Sequence, residues 1–438
     1  VTASFSGATD RAVWRIALPM IVSNISVPAL GIVDTAVVGH LQGPEYLGAV
    51  AVGASIISLL FMSLNFLRMG TTGIAAQHFG RQDTNGLRAV LARALLIAVG
   101  LGVILWLFRV PAIAIALRVM APGAEVEPLA RDYLDIRLWG APATLANFAL
   151  IGWFLGMQNA RAPLAMMLTT NLTNIALDLM FVVGLDLQVA GVALASVCGE
   201  LLGLALGLLL MAGELRRHPG DWRADQILSL PGFVGLARIN AHLFVRTVTL
   251  MLSFAFFTAR SARLGGEILA VNAVLMNFQH LLAYGLDGLA HAAEALVGKA
   301  FGARDKDAVK AAVAAALKWS LVLAVTLCGT FIAAGPLLID TMTDLAEIRT
   351  AARAFLPWLV VSPLISVWSF LYDGVFVGAT RAREMRDAML ISALIFLPSA
   401  LALQTLGNHG LWLAFMLFMA ARGVSMGWWW RRILARAL

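Results

Sequence analysis

Long apolar runs separated by short polar breaks fill the chain, at approximately 14–38, 46–72, 88–108, 130–157, 163–185, 188–212, 236–260, 268–297, 309–333, 352–379, 387–406 and 410–430. A helix needs ~20 predominantly apolar residues to cross a bilayer. Each run is long enough, several with tilt. The pattern predicts an all-α integral membrane protein with twelve transmembrane helices. The first run, Ile16 to Val38, is too long for the apolar core of a signal peptide and has no convincing cleavage site after it, so it reads as a retained span. The longest polar stretch, GELRRHPGDWRADQILSLP from Gly213 to Pro231, divides the chain almost in half.

Composition agrees with the pattern. Of 438 residues, 60% are apolar and 13% charged, about half the charge of a soluble chain. That excludes an ordinary soluble enzyme and leaves no room for a sizeable soluble domain. The net charge of +7 does not point to nucleic acid, because basic residues of membrane proteins collect in cytoplasmic loops. One side of the predicted spans carries Arg81, Arg161, Arg216, Arg217, Arg223, Lys299, Lys306, Arg383, Arg431 and Arg432; the other carries Arg109, Arg118, Arg131, Arg260, Arg263, Arg349 and Arg353. The richer side is assigned to the cytoplasm, which puts both termini there. Cys198 and Cys328 lie in apolar runs of different halves, so no disulfide framework or metal site is expected.

The halves are copies. At an offset of 222 residues, FGRQD (Phe79 to Asp83) falls on FGARD (Phe301 to Asp305), and Gly152, Phe154, Gly156, Ala160 and Arg161 fall on Gly374, Phe376, Gly378, Ala382 and Arg383. With an even number of spans per repeat, both halves enter the membrane in the same sense. The expected architecture is two six-helix bundles related by a pseudo-twofold axis, residues 1–212 and 234–438, joined by a cytoplasmic linker at 213–233. That is a transporter architecture.

Ionisable residues at membrane depth are costly and point to function. The candidates are Asp34, Asp178 and Glu200 in the first half and Asp287, Glu294 and Asp373 in the second. The repeat places Asn174 opposite Phe396, Asp178 opposite Ala400 and Asp34 opposite Phe256 or Phe257, so the first half holds polar groups where the second is apolar. Asn171, Asn174 and Asp178 recur at i, i+3 and i+7, on one helical face, and Ser196 and Glu200 at i, i+4 on the next span. A pair such as Asp34 and Asp178, desolvated together, either shares a proton near neutral pH or takes Na+; the alternative is that these groups only satisfy one another in packing.

In the second half Asp287, His291 and Glu294 share a face. The repeat aligns Asp287 with Asn65, three residues from Arg68, so an Arg68 to Asp287 pair between the halves is expected, as a gate or a structural tie. Asp373 lies on the tenth span. Pro19 and Pro28 interrupt the first span and allow a hinge or a static kink there. There is no GxxxxGK[ST] and no HExxH, so neither ATP hydrolysis nor zinc-protease chemistry is expected.

WRIALPMIVSNISVPALGIVDTAVVGHL, LGAVAVGA, FLRMGTTGIAAQHFGRQD, NLTNIALDLMFVVGL and LYDGVFVGATRAREMRDAM together resemble the multidrug and toxic compound extrusion (MATE) transporters, most closely their DinF-like branch. The resemblance covers essentially the whole chain. It implies export of organic, cationic or amphiphilic compounds in exchange for H+ or Na+, with Asp34, Asn174, Asp178 and Ser196 as the first-half cation site. The NorM branch places acids on the seventh and tenth spans; Asp373 matches the second, but the seventh span has none. A cleft for bulky cations uses aromatic and Met side chains, for which Met251, Phe254, Met276, Phe278, Tyr284, Trp368 and Tyr372 are candidates. The expectation is a monomeric, H+-coupled antiporter of the bacterial inner membrane, meeting small organic substrates and lipids and using no cofactor. Na+ coupling, a lipid-type flippase and a membrane-embedded enzyme are the alternatives.

Overall fold

The computed structural model describes residues 2–39, 41 and 43–436, and those residues form helices and short connections with no strand among them. The first half contains α1 (Thr2–Val38), α2 (Pro44–Leu64), α3 (Phe66–Gly80), α4 (Thr84–Leu107), α5 (Arg109–Met120), α6 (Val126–Trp139), α7 (Ala141–Gly156), α8 (Arg161–Asp178), α9 (Gln188–Arg217) and the one-turn α10 (Ala224–Ile227). The second contains α11 (Leu230–Arg263), α12 (Gly266–Gly302), α13 (Lys306–Met342), α14 (Ala346–Gly378), α15 (Ala382–Ala402) and α16 (Gly407–Arg436). Eleven stretches are long and apolar enough to cross a membrane, and a twelfth is made by α6 and α7, which meet at a 50° bend. The expected all-α, twelve-span fold is what is found. The helix α5, after the third span, is an addition that the apolar pattern does not foretell.

The repeat is written in the backbone. Gln82 and Arg304, 222 residues apart, both take positive φ (57° and 56°), as do Gln158 and Thr380 (61° and 55°). Each of the first two precedes an aspartate that caps the next helix: Asp83 accepts from Gly86 N at 2.8 Å, and Asp305 from Ala308 N at 2.9 Å. A Cβ on Gly152 would stand 2.4 Å from the carbonyl oxygen of Arg68, and one on Gly374 2.1 Å from that of Ala290. The close crossing of α3 and α7 therefore recurs between α12 and α14 at the same offset.

The contacts divide the chain into two compact units, one of residues 22–237 and one of residues 1–21 with 238–438. The boundary falls inside α1 and past the polar stretch at 213–233. That stretch is fastened to the first unit by arginines of α4. Arg88 donates to the carbonyls of His218 (2.8 Å) and Leu215 (2.9 Å), and Arg93 to those of Gln226 (2.6 Å) and Ile227 (3.2 Å). In the other unit, Asp10 of α1 accepts from Lys318 (2.7 Å) and from the Trp319 indole (3.0 Å), which fixes the start of α1 to α13. Its core is aromatic, with Phe257, Trp412 and Phe415 in mutual edge contact.

Candidate functional site

Small residues bring the polar groups of the first half together. On α9, Gly199, Gly203 and Gly207 recur every four residues; a Cβ at Gly199 would stand 2.6 Å from the Thr170 carbonyl, and at Gly203 2.1 Å from the Thr170 hydroxyl. This stripe lets α9 lie directly on α8, with Ser196 beside Asn174. The second part of α1 is tied to the same face of α8 by Asn171, whose Nδ2 donates to Ser26 Oγ at 2.8 Å. Immediately after Asp178, residues Leu179–Gly184 widen into a π-helical turn, a feature frequent at functional sites.

Asn174 is the hub. In the orientation that satisfies both ends of its amide, the nitrogen donates to Asp178 Oδ2 at 2.7 Å and to Asp34 Oδ1 at 3.3 Å, while the oxygen accepts from the backbone nitrogen (3.1 Å) and hydroxyl (2.9 Å) of Ser196. The carboxyls of Asp34 and Asp178 thus meet at one amide nitrogen. Asn174 and Asp178 are buried and Asp34 half-buried. The structure thus gathers Asp34, Asn174, Asp178 and Ser196 into one cluster, with Asn171 two turns along.

Glu200 belongs to an adjoining network. Its carboxylate accepts from Arg137 Nη2 (3.0 Å) and Thr144 Oγ1 (2.6 Å), and its backbone carbonyl from Asn147 Nδ2 (2.9 Å). The break at Gly140 makes room for it, since a Cβ there would stand 2.6 Å from Glu200 Oε2. Arg137 is the residue that sequence reasoning did not place in the site. The repeat held the signal, because Arg137 falls opposite Leu359, another first-half charge facing an apolar copy.

In the other unit Asp373 is held by two arginines, accepting from Arg246 of α11 and, at 2.7 Å, from Arg422 of α16. All three are buried. The seventh span, which has no acid between Leu236 and Thr258, therefore supplies a cation to Asp373. Asp287 also acts electrostatically on Arg422, and Glu294 Oε2 lies 3.3 Å from His291 Nδ1. Arg68 Nε donates to Asn65 Oδ1 at 3.3 Å; Arg68 and Asp287 belong to different units. Of the aromatic and Met candidates, Phe278 is buried in the core, Trp368 is exposed, and Met251, Phe254, Met276, Tyr284 and Tyr372 are half-buried. Helix α1 continues through Pro19 and Pro28 without a break.

The model of the MatE family matches residues 19–180 and again residues 243–402. The chain belongs to the MATE family. The two matched segments are the two copies of the repeat. DNA damage-inducible protein F of Escherichia coli (strain K12) is 44% identical over 99% of this chain and 94% of its own. A probable multidrug resistance protein NorM of Rhizobium meliloti (strain 1021) is 26% identical over 97% of this chain and 94% of its own. Among solved structures, a multidrug resistance MATE family transporter of the MOP superfamily in an outward-facing conformation covers 98% of this chain and 96% of its own with a TM-score of 0.90 at 20% identity, a likeness of fold. The chain is thus a multi-pass membrane protein of a multidrug efflux transporter family.

Proposed function

We propose that this MATE protein is a secondary active antiporter that exports organic cationic or amphiphilic compounds in exchange for H+, with Asp34 and Asp178 as the coupling carboxyls. The observation that carries this reading is the convergence of both carboxyls on the one Asn174 amide nitrogen, at 2.7 Å and 3.3 Å. Two carboxylates this close and away from water repel and are poorly solvated. One proton held between them turns the repulsion into a hydrogen bond. A positively charged compound relieves the same repulsion, so proton and substrate compete for one negative charge, and alternating access converts that competition into exchange.

The pairing of two carboxyls supports H+ as the coupling ion, since one proton held between them removes their repulsion without any further ligand. The buried arginines support an antiporter over a lipid flippase: Arg137 is paired with Glu200, and Arg246 and Arg422 share Asp373, so an anionic headgroup would have to displace a carboxylate already in place at each of them. In this reading the chain works as a monomer in the bacterial inner membrane, with both termini cytoplasmic and no cofactor.

The test is efflux of ethidium from proteoliposomes under an imposed pH gradient and then an imposed Na+ gradient. The pH gradient alone drives efflux if the reading holds. Efflux driven only by Na+ reassigns the coupling ion, and efflux indifferent to both gradients refutes secondary antiport.

A further inference from the structure

Arg137 is a buried cation that the proposed exchange does not use. It is 8% exposed, and only its Nη2 makes a well-formed bond, to Glu200; Nε and Nη1 make none of good geometry, with the Tyr133 hydroxyl beside the guanidinium. A buried guanidinium that spends one of its three nitrogens is poorly satisfied as a purely structural tie. Its partner Glu200 lies one turn beyond Ser196 on α9, and Ser196 is bonded to the Asn174 amide that reaches both Asp34 of α1 and Asp178 of α8, so the guanidinium stands beside the carboxyl cluster. The other charged group it faces is Glu200 of α9. On its own helix Asp135 is taken by Arg109 of α5 at 2.8 Å, and α2 meets α6 through Gly53 against Tyr133.

We propose that Arg137 is the internal counter-charge of the Asp34 and Asp178 pair, a positioning residue that stabilises the pair's negative charge once the coupling ion has left and that Glu200 restrains while the ion is bound. The proposal rests on the reading of Asp34 and Asp178 as the coupling site. Arg137 and Glu200 then act on that site with opposite signs. Without Arg137 the pair holds its ion more tightly; without the Glu200 charge the guanidinium acts on the pair undiluted, and the ion is held less tightly.

The experiment is ethidium efflux from proteoliposomes, with the driving-ion concentration at half-maximal rate as the readout. R137Q lowers that concentration about tenfold and E200Q raises it about tenfold, the low end of what a neighbouring charge does to a carboxyl. R137K, which keeps the charge, stays near wild type. A purely structural pair predicts otherwise, because R137Q and E200Q break the same bond and reduce active protein together without moving the half-maximal concentration. Shifts of the same sign, or none, overturn the proposal; where R137Q does not fold, an unshifted E200Q does so alone. Asp34→Asn is the control. If it keeps full gradient-driven efflux, the coupling-site reading fails and this proposal with it; if it is inactive, the two charge variants decide the proposal by themselves.

Discussion

Replacing Asp373 with Asn separates the two halves of the account. In the native protein one carboxylate oxygen receives both Arg246 and Arg422, and all three side chains are buried. Removing the acid strands two guanidiniums. Breaking a buried ion pair by deleting one partner costs about 3–5 kcal/mol, chiefly because a charge remains without compensation. The expected cost is therefore at least ~3 kcal/mol. The assay is thermal unfolding of the purified protein in detergent, followed by tryptophan fluorescence, beside ethidium efflux under a pH gradient. Asp373→Asn unfolds at clearly lower temperature yet keeps pH-driven efflux in whatever fraction folds, while Asp34→Asn does the reverse. Adding Arg246→Met to Asp373→Asn recovers part of the stability, because one stranded charge is gone. An unchanged unfolding midpoint in Asp373→Asn, or a well-folded variant without proton coupling, refutes the reasoning.

Two further outcomes follow from the repeat and its caps. Gly152→Ala and Gly374→Ala each place a Cβ within 2.4 Å of a backbone carbonyl on the crossing helix, which cannot step aside, so each costs about 1–3 kcal/mol; Gly100→Ala, with nothing within 4 Å, is neutral or slightly stabilising, and unfolding midpoints of the three variants check the contrast. Asp83 lies between two spans; burial alone would raise its carboxyl, but the Gly86 amide and the His78 ring, each at 2.8 Å, outweigh it and hold the carboxyl below its ordinary value. Its stabilising effect is therefore present above about pH 4 and is lost as pH falls through the lowered value. Asp83→Ala costs ~1 kcal/mol at neutral pH, and its gap from wild type closes in strong acid when unfolding is followed against pH.

Much of the fold was legible because membrane helices announce themselves by length and apolarity, and because a 222-residue offset aligns Gly152 with Gly374 and Asp83 with Asp305. Those residues sit where the backbone demands them, at a helix crossing and at a cap. The polar cluster was legible in part for a related reason: Asn174 and Asp178 have apolar counterparts in the second copy, so the fold did not require them. Pairings between distant segments were not legible. Arg137 and Glu200 are 63 residues apart, and nothing local to either names the other. Asp373 could be found from sequence, but its partners, one on α11 and one on α16, meet it only through packing, so an acid that resembles a cation ligand turns out to be already matched by arginines. The bend at Gly140 was equally silent, since a glycine inside one apolar run reads the same in a straight helix and in a broken one.

If proton and substrate compete for the carboxyl pair of Asp34 and Asp178, binding of one expels the other. Proton release from purified protein in weakly buffered detergent, followed with a pH-indicating dye as ethidium is added, reads that competition out. Wild-type protein is expected to release protons in saturable fashion as ethidium binds, and Asp34→Asn and Asp178→Asn to release none. Substrate binding without proton release by the wild type, or undiminished release by both variants, would contradict the account.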